Sequence, residues 1–291
     1  MDALRKEHEE TLKKIASYED ILNHYDSMAR VIQKDLDRIK KEYGRPRRTA
    51  VENAREAVFE EKKVEETDVA FVMDRFGYAK LLDFSVYERN KETVQSDYKY
   101  SFICKNTDKI CIFTDRGQMH TVKVLDVPLG RLRDKGTPID NLCNYSSADE
   151  ELIYIGSLGS IRQSHLLFVT ASGMAKQVDG MEFDVAKRTV AATRLAEGDR
   201  LLLAEPADAM EYVVLQSRKG FFIRFLKEEI PEKKKTVIGV RAMRLGEEDE
   251  LEHAYLLESR MEYAIEYGSR KLVLNKLKLS RRDTKGTKVR V

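Results

Sequence analysis

Tryptophan is absent, and cysteine and proline are scarce, at three and five in 291 residues. Without tryptophan, Trp-signature repeats such as WD40 and tetratricopeptide arrays are excluded. The cysteines (Cys104, Cys111, Cys143) are odd in number and lack Cys-x-x-Cys spacing. That argues against a disulfide scaffold or zinc ribbon and for free thiols in a reducing cytosol. No apolar run approaches the roughly 20 residues that span a bilayer. The opening MDALRKEHEE has no apolar stretch of a secretory signal. No P-loop, His-Glu-x-x-His or Gly-x-Ser-x-Gly motif occurs. The five histidines are scattered, so neither a catalytic nor a metal-ligating constellation assembles. Net charge is nearly missing too, with 52 Lys+Arg against 50 Asp+Glu.

What is present divides the chain in two, as its length suggests. In residues 1–44, Ile15, Leu22, Ala29, Leu36 and Tyr43 recur every seven residues. Tyr18, Tyr25, Ile32 and Ile39 interleave with them. This a/d seam predicts one long coiled-coil helix, stopped by Gly44 and Pro46. No second heptad run follows, so its partner helix comes from elsewhere; the alternative is a helix lying on its own domain. Residues 45–67 are charged and weakly periodic, and read as a linker with a short helix.

Residues 68–291 change to short apolar runs broken by glycine, a strand pattern. Five segments align on turn glycines Gly77, Gly117, Gly173, Gly220 and Gly268, each a strand, a polar turn and a second strand. Pro128 and Pro231 lie at one phase of this repeat, as do second glycines Gly136, Gly239 and Gly286. The expectation is mainly β: a five-bladed, propeller-like disc, closed or nearly closed, whose radial repetition protects its strand edges.

Basic clusters recur near the second glycine: Arg131, Arg133 and Lys135; Lys187, Arg188 and Arg194; Lys233, Lys234, Lys235 and Arg241; Arg281, Arg282, Lys285, Lys288 and Arg290. One phase of a radial repeat is one part of each blade, so these cations predict a belt for a polyanion on the perimeter. Solvated loops, or a propeller-like protein-interaction scaffold with an exposed apolar patch, are the alternatives.

These residues carry a resemblance. LNHYDSMARVIQKDLDRIKKEYGRPRRT resembles the returning helix of the coiled-coil arm in bacterial type IIA topoisomerase A subunits, with Tyr43-Gly44 and Arg47-Arg48-Thr49 at its end. DRFGYAK, IFTDRGQMHTVKVLDVP, FVTASGMAKQ and GFFIRF…IPEKKKTVIGVRAM resemble that family's C-terminal β-pinwheel. The resemblance implies a domain that binds duplex DNA on its rim and bends it. It also implies partners in the rest of the A subunit and the ATPase B subunit. ATP and Mg²⁺ would act elsewhere in the enzyme, no cofactor would bind this chain, and the location would be cytoplasmic, at the nucleoid. The family's catalytic tyrosine follows an arginine, and no Arg-Tyr pair occurs here. This chain alone should therefore not cleave DNA, and either it is a fragment or Met1 is an internal start. Gyrase carries a Gly/Arg-rich box in its first blade. The matching window, Asn90–Ser96, has neither residue, which reads as topoisomerase IV more than gyrase.

Overall fold

The computed structural model describes residues 2–46, 49 and 65–290. The short helix expected in the linker, and Arg47 and Arg48, lie outside the described residues. The chain divides into two compact units, Met1–Lys62 and Lys63–Val291.

The first unit corrects the expectation of one long helix. There are two, α1 (Asp2–Asn23) and α2 (Tyr25–Tyr43). His24 between them is extended, at φ −121° and ψ 115°. Its carbonyl accepts the first N–H groups of α2, from Ser27 and Met28, each at 3.1 Å. Asp20 bridges the break, its carboxylate 2.9 Å from His24 Nδ1 and 2.7 Å from Ser27 Oγ. No Gly or Pro marks this break, so hydrophobic periodicity runs straight through it. The seam is solvent-facing, with Leu22 73% and Tyr25 84% exposed.

The second unit is built from four four-stranded antiparallel sheets and one hairpin. Blade 1 contains β1 (Asp68–Met73), β2 (Tyr78–Asp83), β3 (Tyr100–Lys105) and β6 (Thr137–Pro138). Blade 2 contains β4 (Lys109–Thr114), β5 (Gln118–Lys123), β7 (Leu152–Ser157) and β10 (Thr189–Ala191). Blade 3 contains β8 (His165–Thr170), β9 (Met174–Asp179), β11 (Leu201–Pro206) and β14 (Val240–Arg241). Blade 4 contains β12 (Tyr212–Ser217), β13 (Phe221–Leu226), β15 (Leu251–Leu257) and β18 (Thr287–Lys288). The last hairpin pairs β16 (Ala264–Tyr267) with β17 (Arg270–Val273).

One rule generates every full blade. A hairpin supplies the two central strands, and the segment after the next hairpin returns to pair with its second strand: β6 on β2, β10 on β5, β14 on β9, β18 on β13. Successive blades are thereby laced together. The fifth repeat is two-stranded among the described residues, and its own trailing segment, β18, is used by blade 4. The segment after the first hairpin pairs with no earlier blade among the described residues. It folds instead as α3 (Phe84–Arg89) and α4 (Lys91–Asp97). Asp83 caps α3 by accepting the Ser85 N–H at 2.9 Å. Tyr87 and Val94 cover Ala70, Val72 and Leu82 on blade 1.

Each junction between neighbours holds one apolar cluster. Phe71, Ile112 and Val122 join blades 1 and 2, and Phe113, Phe168 and Phe183 join blades 2 and 3. Leu167, Leu215 and Phe225 join blades 3 and 4, and Val214, Phe222 and Leu274 join blade 4 to the last hairpin. These side chains are at most 2% exposed, and each stabilises by about 1.5–3 kcal/mol through burial. The strands β3, β7, β11 and β15 meet in series. They therefore form the inner edge of the sheets, and β6, β10, β14 and β18 form the outer edge.

Candidate nucleic-acid interface

The basic clusters precede, overlap or closely follow these outer strands, so the fold carries their segments to the outer edge of the sheets. Each loop is fixed to its blade by main-chain bonds. Leu81 N–H donates to Pro128 O and Gly130 N–H to Leu81 O, both at 2.9 Å. Gln177 makes the same pair with Pro231 O and Lys233 N–H, at 3.2 and 2.8 Å. Gly136 and Gly239 then let the outer strand close in. Both have positive φ, at 83° and 108°, and a Cβ on either would lie 2.6 Å from a carbonyl oxygen, of Ala79 or Ala175.

Side-chain placement separates the fifteen candidate cations. Arg131, Arg133, Lys135, Lys187, Arg188, Arg194, Lys233, Lys234, Arg281, Lys285, Lys288 and Arg290 are exposed, and none has an ion pair among the described residues. Lys135 lies 4.2 Å from the Tyr78 ring centre and Lys285 4.8 Å from that of Phe221. Each ring follows a turn glycine, so two blades set a lysine on an aromatic at the same place. The other three are engaged within the protein. Lys235 Nζ donates to Glu182 O at 2.6 Å. Arg282 donates to Glu229 O at 3.0 Å and Arg241 O at 2.6 Å. Arg241 is exposed but paired with Asp283, Nε to Oδ1 at 2.6 Å. That bond, the largest influence on Asp283, holds its carboxyl below the usual range.

Sequence reasoning missed the residues beneath the loops. Lys80 and Lys176, each 1% exposed, are among the largest fully buried side chains. An ammonium has three N–H donors, and here each finds a carbonyl. Lys80 reaches Arg131 O and Leu132 O at 2.8 Å and Asp134 O at 2.5 Å. Lys176 reaches Lys234 O at 3.2 Å, Lys235 O at 2.8 Å and Val237 O at 2.6 Å. The acceptors have the same spacing in both loops. Burial pushes Lys176 down to about 8, with Glu182 opposing, while the carbonyls favour the charged form. In blade 4, Arg224 Nη1 plays a similar part, donating to Asn275 O at 2.5 Å. Blade 2 has His120 in the lysine's place, bonded to Thr189 Oγ1 at 3.1 Å and Glu150 Oε2 at 3.2 Å. The signal was present as Gly-Tyr-Ala-Lys and Gly-Met-Ala-Lys after two turn glycines.

The Gly/Arg-free window in blade 1 is almost wholly α4, with Val94 fully buried, rather than a free loop. Among the described residues no group of three or more His, Cys, Asp or Glu could hold a metal. No helix among them is long and apolar enough to cross a membrane.

Sheets laced by exchanged outer strands, with inner strands in series, define a β-pinwheel. Residues 164–208 and 211–258 match the family model described as the DNA gyrase C-terminal domain, a β-propeller. The DNA gyrase A subunit of Helicobacter pylori (strain J99) is 27% identical over 262 residues, covering 85% of this chain and 32% of that protein. Its counterpart in Ureaplasma parvum serovar 3 is 26% identical over 98% of this chain and 36% of its own length. The chain thus spans about a third of the curated relatives it matches. Among solved structures, the C-terminal domain of a DNA topoisomerase IV aligns with a TM-score of 0.68 at 21% identity, covering 77% of this chain and 73% of that one. The E. coli ParC C-terminal domain aligns at 0.62 and 16% identity, covering 77% and 94%. In fold and in sequence the chain is similar to the C-terminal β-pinwheel domains of DNA gyrase and topoisomerase IV A subunits.

Proposed function

We propose that this chain is the DNA-binding and DNA-bending region of the A subunit of an ATP-dependent type II topoisomerase, closer in behaviour to topoisomerase IV than to gyrase. The observation that carries the reading is the outward presentation of unpaired Arg and Lys on the outer edges of four successive blades. Phosphates would be bound with little reading of bases. Following the curved rim bends the duplex, at a cost of a few kcal/mol offset by phosphate contacts along the path. The topoisomerase IV preference rests on α4, which occupies the window where a flexible Gly/Arg-rich loop would otherwise sit.

The rest of the A subunit, the ATPase B subunit and a helix covering the exposed heptad seam are the partners this reading requires. ATP and Mg²⁺ would be held by those other parts, in a cytoplasmic enzyme working at the nucleoid. With no Arg-Tyr pair, this chain supplies DNA geometry and no nucleophile. The test is equilibrium binding to unrelated duplexes across a salt series. Affinity that falls steeply with salt and is indifferent to sequence supports the reading. Salt-independent binding, or none, sinks it.

A further inference from the structure

We propose that Lys80 and Lys176 are positioning residues of the DNA-binding surface: each turns three carbonyls of a rim loop inward, so that the loop's own cations stand outward in a fixed array. The inference rests on the DNA-binding reading above. It concerns two side chains that cannot touch DNA themselves, since both are buried.

The argument starts from cost. A lysine in a sheet interior forfeits its hydration, which is unfavourable unless every donor is matched. Both lysines are fully matched, and all six acceptors lie on the two rim loops. A carbonyl directed at a buried ammonium cannot also face solvent. The loop backbone is thereby fixed with its oxygens in, and Arg131, Arg133, Lys233 and Lys234 remain exposed. Mutual repulsion among these cations would otherwise spread the loop. Fixing it beforehand removes an ordering cost from binding. Tyr98 reinforces the first loop, its hydroxyl donating to Leu132 O at 3.1 Å. Blade 2 is the internal contrast: no single ammonium gathers three carbonyls of its loop, which is held at separate points, Val185 O by Lys109 Nζ at 2.9 Å and Arg188 O by the Thr121 N–H at 2.8 Å.

The experiment uses the full chain with Lys80→Met, Lys176→Met, the double variant, and Lys91→Ala as a control that removes one charge from exposed α4. Duplex affinity is measured across salt, and amide exchange is measured in the free proteins. The double variant should bind about tenfold more weakly with a salt slope flatter by about 2 or more. Exchange should accelerate at residues 131–136 and 233–239 while the central strands stay protected. The control should change little, and Lys→Arg variants, which restore a cationic donor, should recover part of the loss. A folded double variant with wild-type affinity and slope overturns the proposal while leaving the DNA reading intact. Absence of duplex binding by the wild type sinks both. Where a Met variant fails to fold, exchange in the free wild type decides. Loops 131–136 and 233–239 should be better protected than 184–188, and equal or weaker protection overturns the proposal.

Discussion

Arg241 and Asp283 meet where blade 3 gives way to blade 4, with Nε and Oδ1 2.6 Å apart and Arg244 Nε a further 3.7 Å from the same oxygen. One carboxylate therefore restrains two arginines that would otherwise be available to phosphate. Asp283→Asn removes the charge and suits the positive φ of 61° at this position. The variant should bind duplex a few-fold more tightly, with a salt slope steeper by about 1–2. Since the pair is partly exposed, folding should change by less than about 1 kcal/mol. Asp283 has a lowered pKa, so its contribution is present above the unfolded carboxyl value near 3.8 and is lost as pH falls through the lower folded one. Urea midpoints of the two proteins should thus converge in acid. Weaker DNA binding by Asp283→Asn would show that the carboxylate positions the arginines productively.

Arg281 and Arg282 are adjacent in sequence and opposite in role. The triple variant Arg281→Ala, Lys285→Ala, Lys288→Ala removes exposed cations and should flatten the salt slope by up to about 3, with folding within about 0.5 kcal/mol per site. Arg282→Ala instead leaves Glu229 O and Arg241 O without their donor. It should cost roughly 1–3 kcal/mol of stability before it alters binding. Chemical denaturation alongside binding separates the two. Equal stability loss in both variants would erase the distinction.

How much of this was legible in sequence follows from what each signal measures. Turn glycines report backbone conformation directly, so all five hairpins and the second glycines could be read. Gly268 marks a hairpin as well as Gly173 does, yet it is silent on whether two further strands will join. That depends on segments far along the chain. Lys80 reads as solvent-facing by its charge alone, and the loop returning from the next hairpin is what takes up its three donors. Lys235 and Lys234 look alike in a run of three lysines, and Glu182 on a neighbouring segment decides which turns in. His24 breaks a helix with no Gly or Pro to announce it.

The window 90–96 bears on wrapping. A helix with Val94 packed against blade 1 cannot act as a flexible basic clamp. Binding to relaxed plasmid, followed by nicking and closing, should leave little or no positive writhe in the topoisomer ladder. The isolated chain should also form no covalent adduct trapped by denaturant, for want of the Arg-Tyr pair. A gyrase-like ladder shift would place the wrap in another blade. A trapped adduct would locate a nucleophile among the tyrosines present.

The three thiols should differ in reactivity because their burial differs. Cys104 and Cys111 are buried, and desolvation, aided by the Asp108 charge, pushes both up to about 12. Cys143 is half-buried, and desolvation raises it as well. Alkylation needs the thiolate. At pH 8 a thiol at about 12 is ionised about one time in ten thousand, and Cys143 differs from the other two by its partial exposure to reagent. Cys111 lies in the junction between blades 2 and 3 and Cys104 in that between blades 1 and 2, so their modification must await separation of the blades. Iodoacetamide at pH 8 should label Cys143 first, and the other two only as urea unfolds the domain. The sign on stability follows: a raised thiol pKa favours folding below the unfolded value near 9, and this is lost as pH rises towards 12. Replacing Cys104 and Cys111 with Ala should therefore reduce the decline of stability above pH 9. Peptide mass mapping of the labelled sites tests the order, and labelling of Cys111 ahead of Cys143 in native buffer would mean that the junction between blades 2 and 3 opens on its own.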